Sequence, residues 1–227
     1  MDKLMTIIPV RGGSKSIPQK NLQTVNGKSL IERAVIGALK IENNQIFVST
    51  DDPKIAKQVC DYPITVLNRS LANSTDQSSS ESVVLEVLKG NGVLDGIVIL
   101  LQATSPFIDI NGLRTAINTM QKSELVDSMF SAVSKNEFIW ELGTNWEPVN
   151  HNKLLRIPRQ SRSPMAVETG SFYIFKADKF LEEKTRFCGV TVPAFTRNWT
   201  NFDIDSHEDL ELCRDLSQVL DFPPYLV

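Results

Sequence analysis

The chain has 227 residues, 41% of them hydrophobic and 22% charged, and 24 Lys and Arg against 27 Asp and Glu give a formal net charge of -3. That make-up fits a packed globular domain and argues against a general nucleic-acid binder. No run approaches the roughly 18 apolar residues of a membrane span, and Cys60, Cys188 and Cys213, odd in number and far apart, read as reduced thiols of a cytoplasmic protein.

The N-terminal MDKLMTIIPVRGG has an apolar core too short for a secretory leader, and residues 4–10 read as a first strand. A loop rich in glycine and cations follows over 11–20, then a predicted helix over 29–40. A strand over 45–50 leads to a helix over 53–60, with Asp52 at its cap and Pro53 at its first position. A strand over 64–68, a helix over 78–89 and a strand over 96–102 come next. The helix over 110–122 takes Asp109 as its cap, and a strand covers 128–134. Residues 136–168 lack periodicity and carry Trp140 and Trp146, which need burial somewhere; they read as an inserted extension. Strands over 171–177 and 189–194, the segment NFDID at 201–205 and a helix over 206–220 complete the chain. Continuous apolar strands alternating with helices predict an open, doubly wound α/β sheet, with ligands at the carboxyl ends of its strands. The core would comprise 1–135 and 169–227.

Charge is uneven. Lys3, Arg11, Lys15, Lys20 and Lys28 occur without an acid until Glu32, and His151, Lys153, Arg156, Arg159 and Arg162 form a second acid-free stretch. Local positive patches on a mildly acidic chain point to a small anionic ligand. In the loop, Gly12 and Gly13 let backbone amides approach a ligand closely, and Arg11, Lys15 and Lys20 add full charges, which suits a triphosphate; a solvated basic loop would have the same composition. It is neither a Walker A loop, because Leu22 stands at the first glycine position before GKS at 27–29, nor a GxGxxG turn. Asp203 and Asp205 alternate on an extended segment and so share a face, as two magnesium ligands would, or they simply precede a helix that Ser206 and Asp209 cap. The run LLQATSPFI at 100–108 puts polar groups where a buried strand ends, either a ligand contact or an ordinary turn. His151 and His207 are isolated and read as bystanders.

In combination these stretches resemble the acylneuraminate cytidylyltransferase family, the CMP-sialic acid synthetases and their relatives. The opening signature stands as IIPVRGGSKSIPQKN at 7–21. It is followed in order by Ser49–Asp51, by Arg69, Asp76, Ser79 and Ser80, and by Leu101–Pro106. Pro158–Gln160, Gly170 with Tyr173, and Asp203–Asp205 complete the series, so the resemblance runs from residue 4 to about 215. It implies a Rossmann-like, mostly parallel sheet of the nucleotide-diphospho-sugar transferase type, with 136–168 as a dimerisation arm of a homodimer. The implied reaction converts CTP and a nine-carbon keto-acid sugar into the CMP-sugar and pyrophosphate, with Mg²⁺ as cofactor and neither nucleic acid nor membrane as partner. Carried over by position, Arg11, Lys20 and Asp203 serve catalysis, and Arg11, Gly12, Gly13, Ser14, Lys15, Lys20, Asn21, Arg69 and Ser80 bind the nucleotide. Gln102, Thr104, Ser105, Arg159, Gln160 and Tyr173 face the sugar, and Asp203 and Asp205 hold the metal. Where the family pattern has LQPTSPLR and NGAIY this chain has LQATSPFI and TGSFY, so Ala103, Ile108 and Thr169 depart from it. Related cytidylyltransferases for 3-deoxy-manno-octulosonate or for pseudaminic and legionaminic acids share the pattern. A glycosyltransferase using DID as its metal motif and a non-catalytic nucleotide-binding relative are the readings outside that class.

Overall fold

The apolar runs of the sequence become strands buried on both faces. A computed structural model describes residues 3–75, 77–155 and 157–219. In chain order its strands are β1 (Leu4–Pro9), β2 (Thr24–Val25), β3 (Lys28–Ser29), β4 (Asn44–Thr50), β5 (Thr65–Asn68) and β6 (Ile97–Leu101). After them come β7 (Ser128–Lys135), β8 (Trp140–Leu142), β9 (Trp146–Pro148), β10 (Met165–Lys176) and β11 (Thr191–Phe195). The helices are α1 (Leu30–Leu39), α2 (Pro53–Gln58), α3 (Ser80–Gly90), α4 (Ile110–Lys122), α5 (Ala177–Glu183) and α6 (His207–Val219).

Seven strands form one sheet in the order β11-β7-β10-β6-β1-β4-β5. The pairs β5–β4, β4–β1, β1–β6 and β7–β11 are parallel, and β10 alone runs antiparallel between β6 and β7. Ile7 and Ile8 are both fully buried, yet they belong to opposite faces. Ile8 packs with Ile31, Val35, Leu113 and Ile117 beneath α1 and α4, whereas Ile7 packs with Val84, Leu88 and Phe180 beneath α3 and α5. Burial on both faces removes the polar alternation of a half-exposed sheet, which is why these strands read as continuous apolar runs.

The predicted helix starts are observed. Asp52 accepts from the Lys54 amide at 2.7 Å with Pro53 next in line, and Asp109 accepts from the Gly112 amide at 3.0 Å. At α6 the Asp209 amide donates to Ser206 Oγ, and Asp209 Oδ2 accepts from the Ser206 amide at 2.7 Å. Each bond satisfies a backbone donor that the helix leaves open.

The chain leaves β1 for β4 and β5 on one side, then returns to place β6 on the other. The order therefore reverses between β1 and β6, and the segments that follow their carboxyl ends border a crevice. Within the extension, β8 and β9 form a short hairpin, and β10 already pairs with β7 from Met165 onward. Among the described residues Trp140 and Trp146 remain 44% and 61% exposed.

Candidate active site

A cleft of about 390 Å³ opens where the sheet order reverses. Its floor is the end of β1 and the loop after it, with Arg11, Gly13, Ser14, Lys15, Lys20 and Asn21. Arg69 and the first turn of α3, including Ser79 and Ser80, form one wall; Gln102, Ala103 and Thr104 after β6, with Asp205, form the other. Eleven positions carried over from the family pattern thus meet in one crevice, drawn from segments up to 194 residues apart (205 − 11).

Local bonds shape the loop. The Gly12 amide donates to Asp51 Oδ1 at 2.9 Å, so the STD at the end of β4 buttresses the loop after β1. A Cβ on Gly12 would lie 2.6 Å from Asp52 Oδ2, which explains the glycine there. The N–H of Gly12 is thus committed to Asp51, while Gly13 and Ser14 line the cleft and Gly12 does not. Asn21 Nδ2 donates to the Arg11 carbonyl at 3.0 Å, closing the loop on itself. Arg69 is buried and donates to the Ser49 carbonyl at 2.9 Å and to Ser49 Oγ. Burial lowers its guanidinium pKa, opposed by Asp51 and Glu86.

The loop and the late acids are directly joined. Lys20 Nζ donates to the Ile204 carbonyl at 2.7 Å and to Asp205 Oδ1 at 3.0 Å. Ile204 is fully buried against Ile17, Leu30, Phe107 and Leu210, and its amide donates to the Thr104 carbonyl at 2.9 Å. Ile204 is turned inward between Asp203 and Asp205, which are both exposed; Asp205 lines the cleft and Asp203 is not part of its lining. A Cβ on Gly170, whose φ is +72°, would lie 3.9 Å from both Asp203 Oδ2 and Gln102 Oε1 and 4.0 Å from Ser105 Oγ. Gln102, Ser105 and Asp203 therefore converge on this glycine. Burial raises the Asp203 carboxyl above the ordinary carboxylate range, a bond from the Thr104 hydroxyl opposes that shift, and the charge of Asp205 adds to it. Ser105 Oγ and Ser171 Oγ are buried here without a hydrogen-bond partner among the described residues.

Other positions lie elsewhere. Tyr173 is buried in the layer beneath α3 and α5, its hydroxyl donating to Glu168, and does not line the cleft. Gln160 is exposed on a short turn over Arg159–Ser161. Asp76, Arg156 and the Arg159 side chain fall outside the described residues. In the second basic stretch, Lys153 pairs with Glu147 at 2.7 Å, and Arg162 donates to the Asn136 and Glu137 carbonyls over the Phe138 ring. The GKS at 27–29 forms the β2–β3 turn and, through Ser29, the cap of α1, remote from phosphate chemistry. Of the departures from the family pattern, Ile108 is core and Thr169 is buried on Ser131 Oγ at 2.7 Å; Ala103 alone lines the cleft. Sequence reasoning passed over Ser16, Ser78 and Val83, which also line it; their proximity to flagged residues was the only available signal.

A family profile described as cytidylyltransferase matches residues 5–223. The chain belongs to the cytidylyltransferase family. Among curated relatives, N-acylneuraminate cytidylyltransferase A of Danio rerio is 35% identical over 181 residues, covering 77% of this chain and 42% of the relative. The N-acylneuraminate cytidylyltransferase of Streptococcus agalactiae serotype V is 29% identical over 217 residues, covering 91% of this chain and 51% of the relative. The chain thus spans about half the length, or less, of these relatives. Among solved structures, a CMP:2-keto-3-deoxy-manno-octonic acid synthetase complexed with CTP superposes with a TM-score of 0.70 at 20% identity, covering 96% of this chain and all of that one. A 4-diphosphocytidyl-2C-methyl-D-erythritol synthase from Anaerococcus prevotii gives 0.65 at 13% identity over 95% of this chain and 99% of that one. These superpositions establish the shared α/β fold with its mostly parallel sheet.

Proposed function

We propose that this cytidylyltransferase joins the CMP moiety of CTP to an acylneuraminate-type nonulosonic acid and releases pyrophosphate. The observation that carries the reading is the Lys20 tie, which holds the cationic loop and the Asp203–Asp205 segment on one cleft at the switch point of the sheet. Transfer at the α-phosphorus needs positioning and charge compensation more than covalent chemistry from the protein. Arg11, Lys15 and Lys20, with the Gly13 and Ser14 amides, grip the triphosphate and compensate the charge that builds on departing pyrophosphate. Arg69, Asn21 and Ser80 orient the nucleoside, and Gln102 and Thr104 face the acceptor across the cleft, with Ser105 buried behind them.

The acid pair fits a magnesium ion. Asp203 is raised by burial and by its neighbour Asp205, so a cation relieves crowding of like charge. No cluster of three or more His, Cys, Asp or Glu occurs among the described residues, so further oxygen ligands would come from water and phosphate, as Mg²⁺ accepts. When bound, Mg²⁺ supplies Lewis-acid polarisation of a phosphoryl oxygen. The exposed tryptophans of the extension support a homodimer in which a second copy covers them. The three cysteines are free, which suits the cytoplasm, and no described helix is long and apolar enough to cross a membrane.

The test is pyrophosphate release from each of the four nucleoside triphosphates with a panel of keto-acid sugars of eight and nine carbons. Release with CTP and an acylneuraminate is expected. Release only with 3-deoxy-manno-octulosonate reassigns the acceptor, and CTP binding without release from any sugar points to a non-catalytic relative.

A further inference from the structure

Behind the α3 wall of the cleft lies a charged cluster that no part of the proposed chemistry uses. Arg186 Nε donates to Glu81 Oε1 at 2.5 Å across 105 residues, and both side chains are mostly buried. The Arg186 guanidinium also lies 4.5 Å above the Tyr173 ring, whose hydroxyl is fixed on Glu168. Glu81 is in the first turn of α3, beside Ser79 and Ser80 of the cleft wall. We propose that Arg186 is a positioning residue for the nucleotide side of the cleft, holding Glu81 so that the first turn of α3 presents Ser79 and Ser80 to the ligand.

Several observations agree. Arg186 reaches α3 from the segment after α5, so the turn is clamped from outside its own neighbourhood. Burial works against both charges, yet pairing holds the Glu81 carboxyl below and the Arg186 guanidinium above their ordinary ranges. A planar guanidinium that stacks on an aromatic ring while binding a carboxylate has its direction fixed, which a lysine ammonium does not. The Ser79 cap bond from the Ser82 amide, at 3.1 Å, lies one residue from Glu81 and reports on the turn.

The link to nucleotide affinity rests on the CTP reading above, whereas amide exchange in the free protein does not. In Arg186→Met and in Glu81→Gln, exchange at the Ser82 amide is expected to rise about tenfold, with β1 and β6 amides unchanged, and CTP affinity measured calorimetrically with Mg²⁺ to fall about tenfold. The double variant should be no worse than either single, and Arg186→Lys should recover part of the loss. Should Arg186→Met fail to fold, Glu81→Gln carries the same comparison. Unchanged exchange at Ser82, or uniform acceleration across the sheet, overturns the proposal; so does faster exchange with undiminished CTP affinity. Absence of CTP binding by the unaltered protein overturns the parent reading and the nucleotide half of this one, while Ser82 exchange still decides whether Arg186 holds the turn.

Discussion

Lys20 sits where three parts of the chain meet, and its two bonds explain how one ammonium serves both structure and charge. The bond to the Ile204 carbonyl fixes the backbone between the two aspartates; the bond to Asp205 engages an acid that is otherwise exposed. Asp203 is then the carboxylate that lies toward Gly170 of β10. Asp203→Asn keeps its shape and removes its charge, so turnover with Mg²⁺ and CTP should fall at least about a hundredfold, close to 2.7 kcal/mol of barrier. Unchanged turnover at saturating Mg²⁺ would release Asp203 from any part in the reaction. Gly12 is a second residue-scale case, because its missing Cβ makes room for Asp52. Gly12→Ala should cost about 1–3 kcal/mol in urea unfolding, the usual scale for overpacking. The penalty should shrink when Asp52→Gly is introduced in the same chain; an equal penalty in both backgrounds excludes Asp52 as the cause.

Among the elements, α1 has the most elaborate start. Burial alone would raise the Glu32 carboxyl, but bonds from the Ser29 amide and hydroxyl, Gln58 and Lys28 prevail and hold it at about 2. A carboxylate lowered on folding adds stability that is whole above the unfolded value near 4.5 and is lost as pH drops toward 2. Glu32→Gln should therefore unfold more easily at pH 7 yet lose less stability between about pH 5 and pH 3, as urea midpoints would show. Parallel acid sensitivity in the two proteins would remove Glu32 from the account. These elements were legible because their signals are local: Asp52, Asp109, and Ser206 with Asp209 each stand within four residues of the amide they satisfy. The opening loop was legible for the same reason, since glycines and cations within ten positions state their chemistry without the rest of the fold. The Glu81–Arg186 pair was not, because 105 residues separate the partners and neither stands in a motif. Nor does a sequence say that Tyr173 turns toward Glu168 or that the Gly12 amide belongs to Asp51; both depend on the twist and register of the sheet.

For the whole molecule, the unfinished surface is the extension. Trp140, Leu142, Trp146 and Val149 lie exposed around the β8–β9 hairpin, with Leu154 and Leu155 exposed on the chain beyond it. Apolar surface of this kind is covered in most proteins by another chain. Sedimentation of the intact protein should give a dimer, and Trp146→Arg should shift it to monomer by placing a charge on that surface. A monomer at all concentrations in the unaltered protein would leave the hairpin without the role assigned to it. The three apolar clusters also divide the labour. Two flank the sheet, and the third, around Ile17, Phe107, Ile204 and Leu210, draws a late segment of the chain onto an early loop.

That third cluster sets a timetable. On the ribosome, β1 and its glycine loop emerge well before the carbonyl that Lys20 grips, which belongs to Ile204, 184 residues later. A nascent chain halted before that point carries Lys20 without the carbonyl that fixes its ammonium. The loop therefore takes its ordered form only after Ile204 has been made, and a chain cut short before it should compete poorly for nucleotide with one that extends past it.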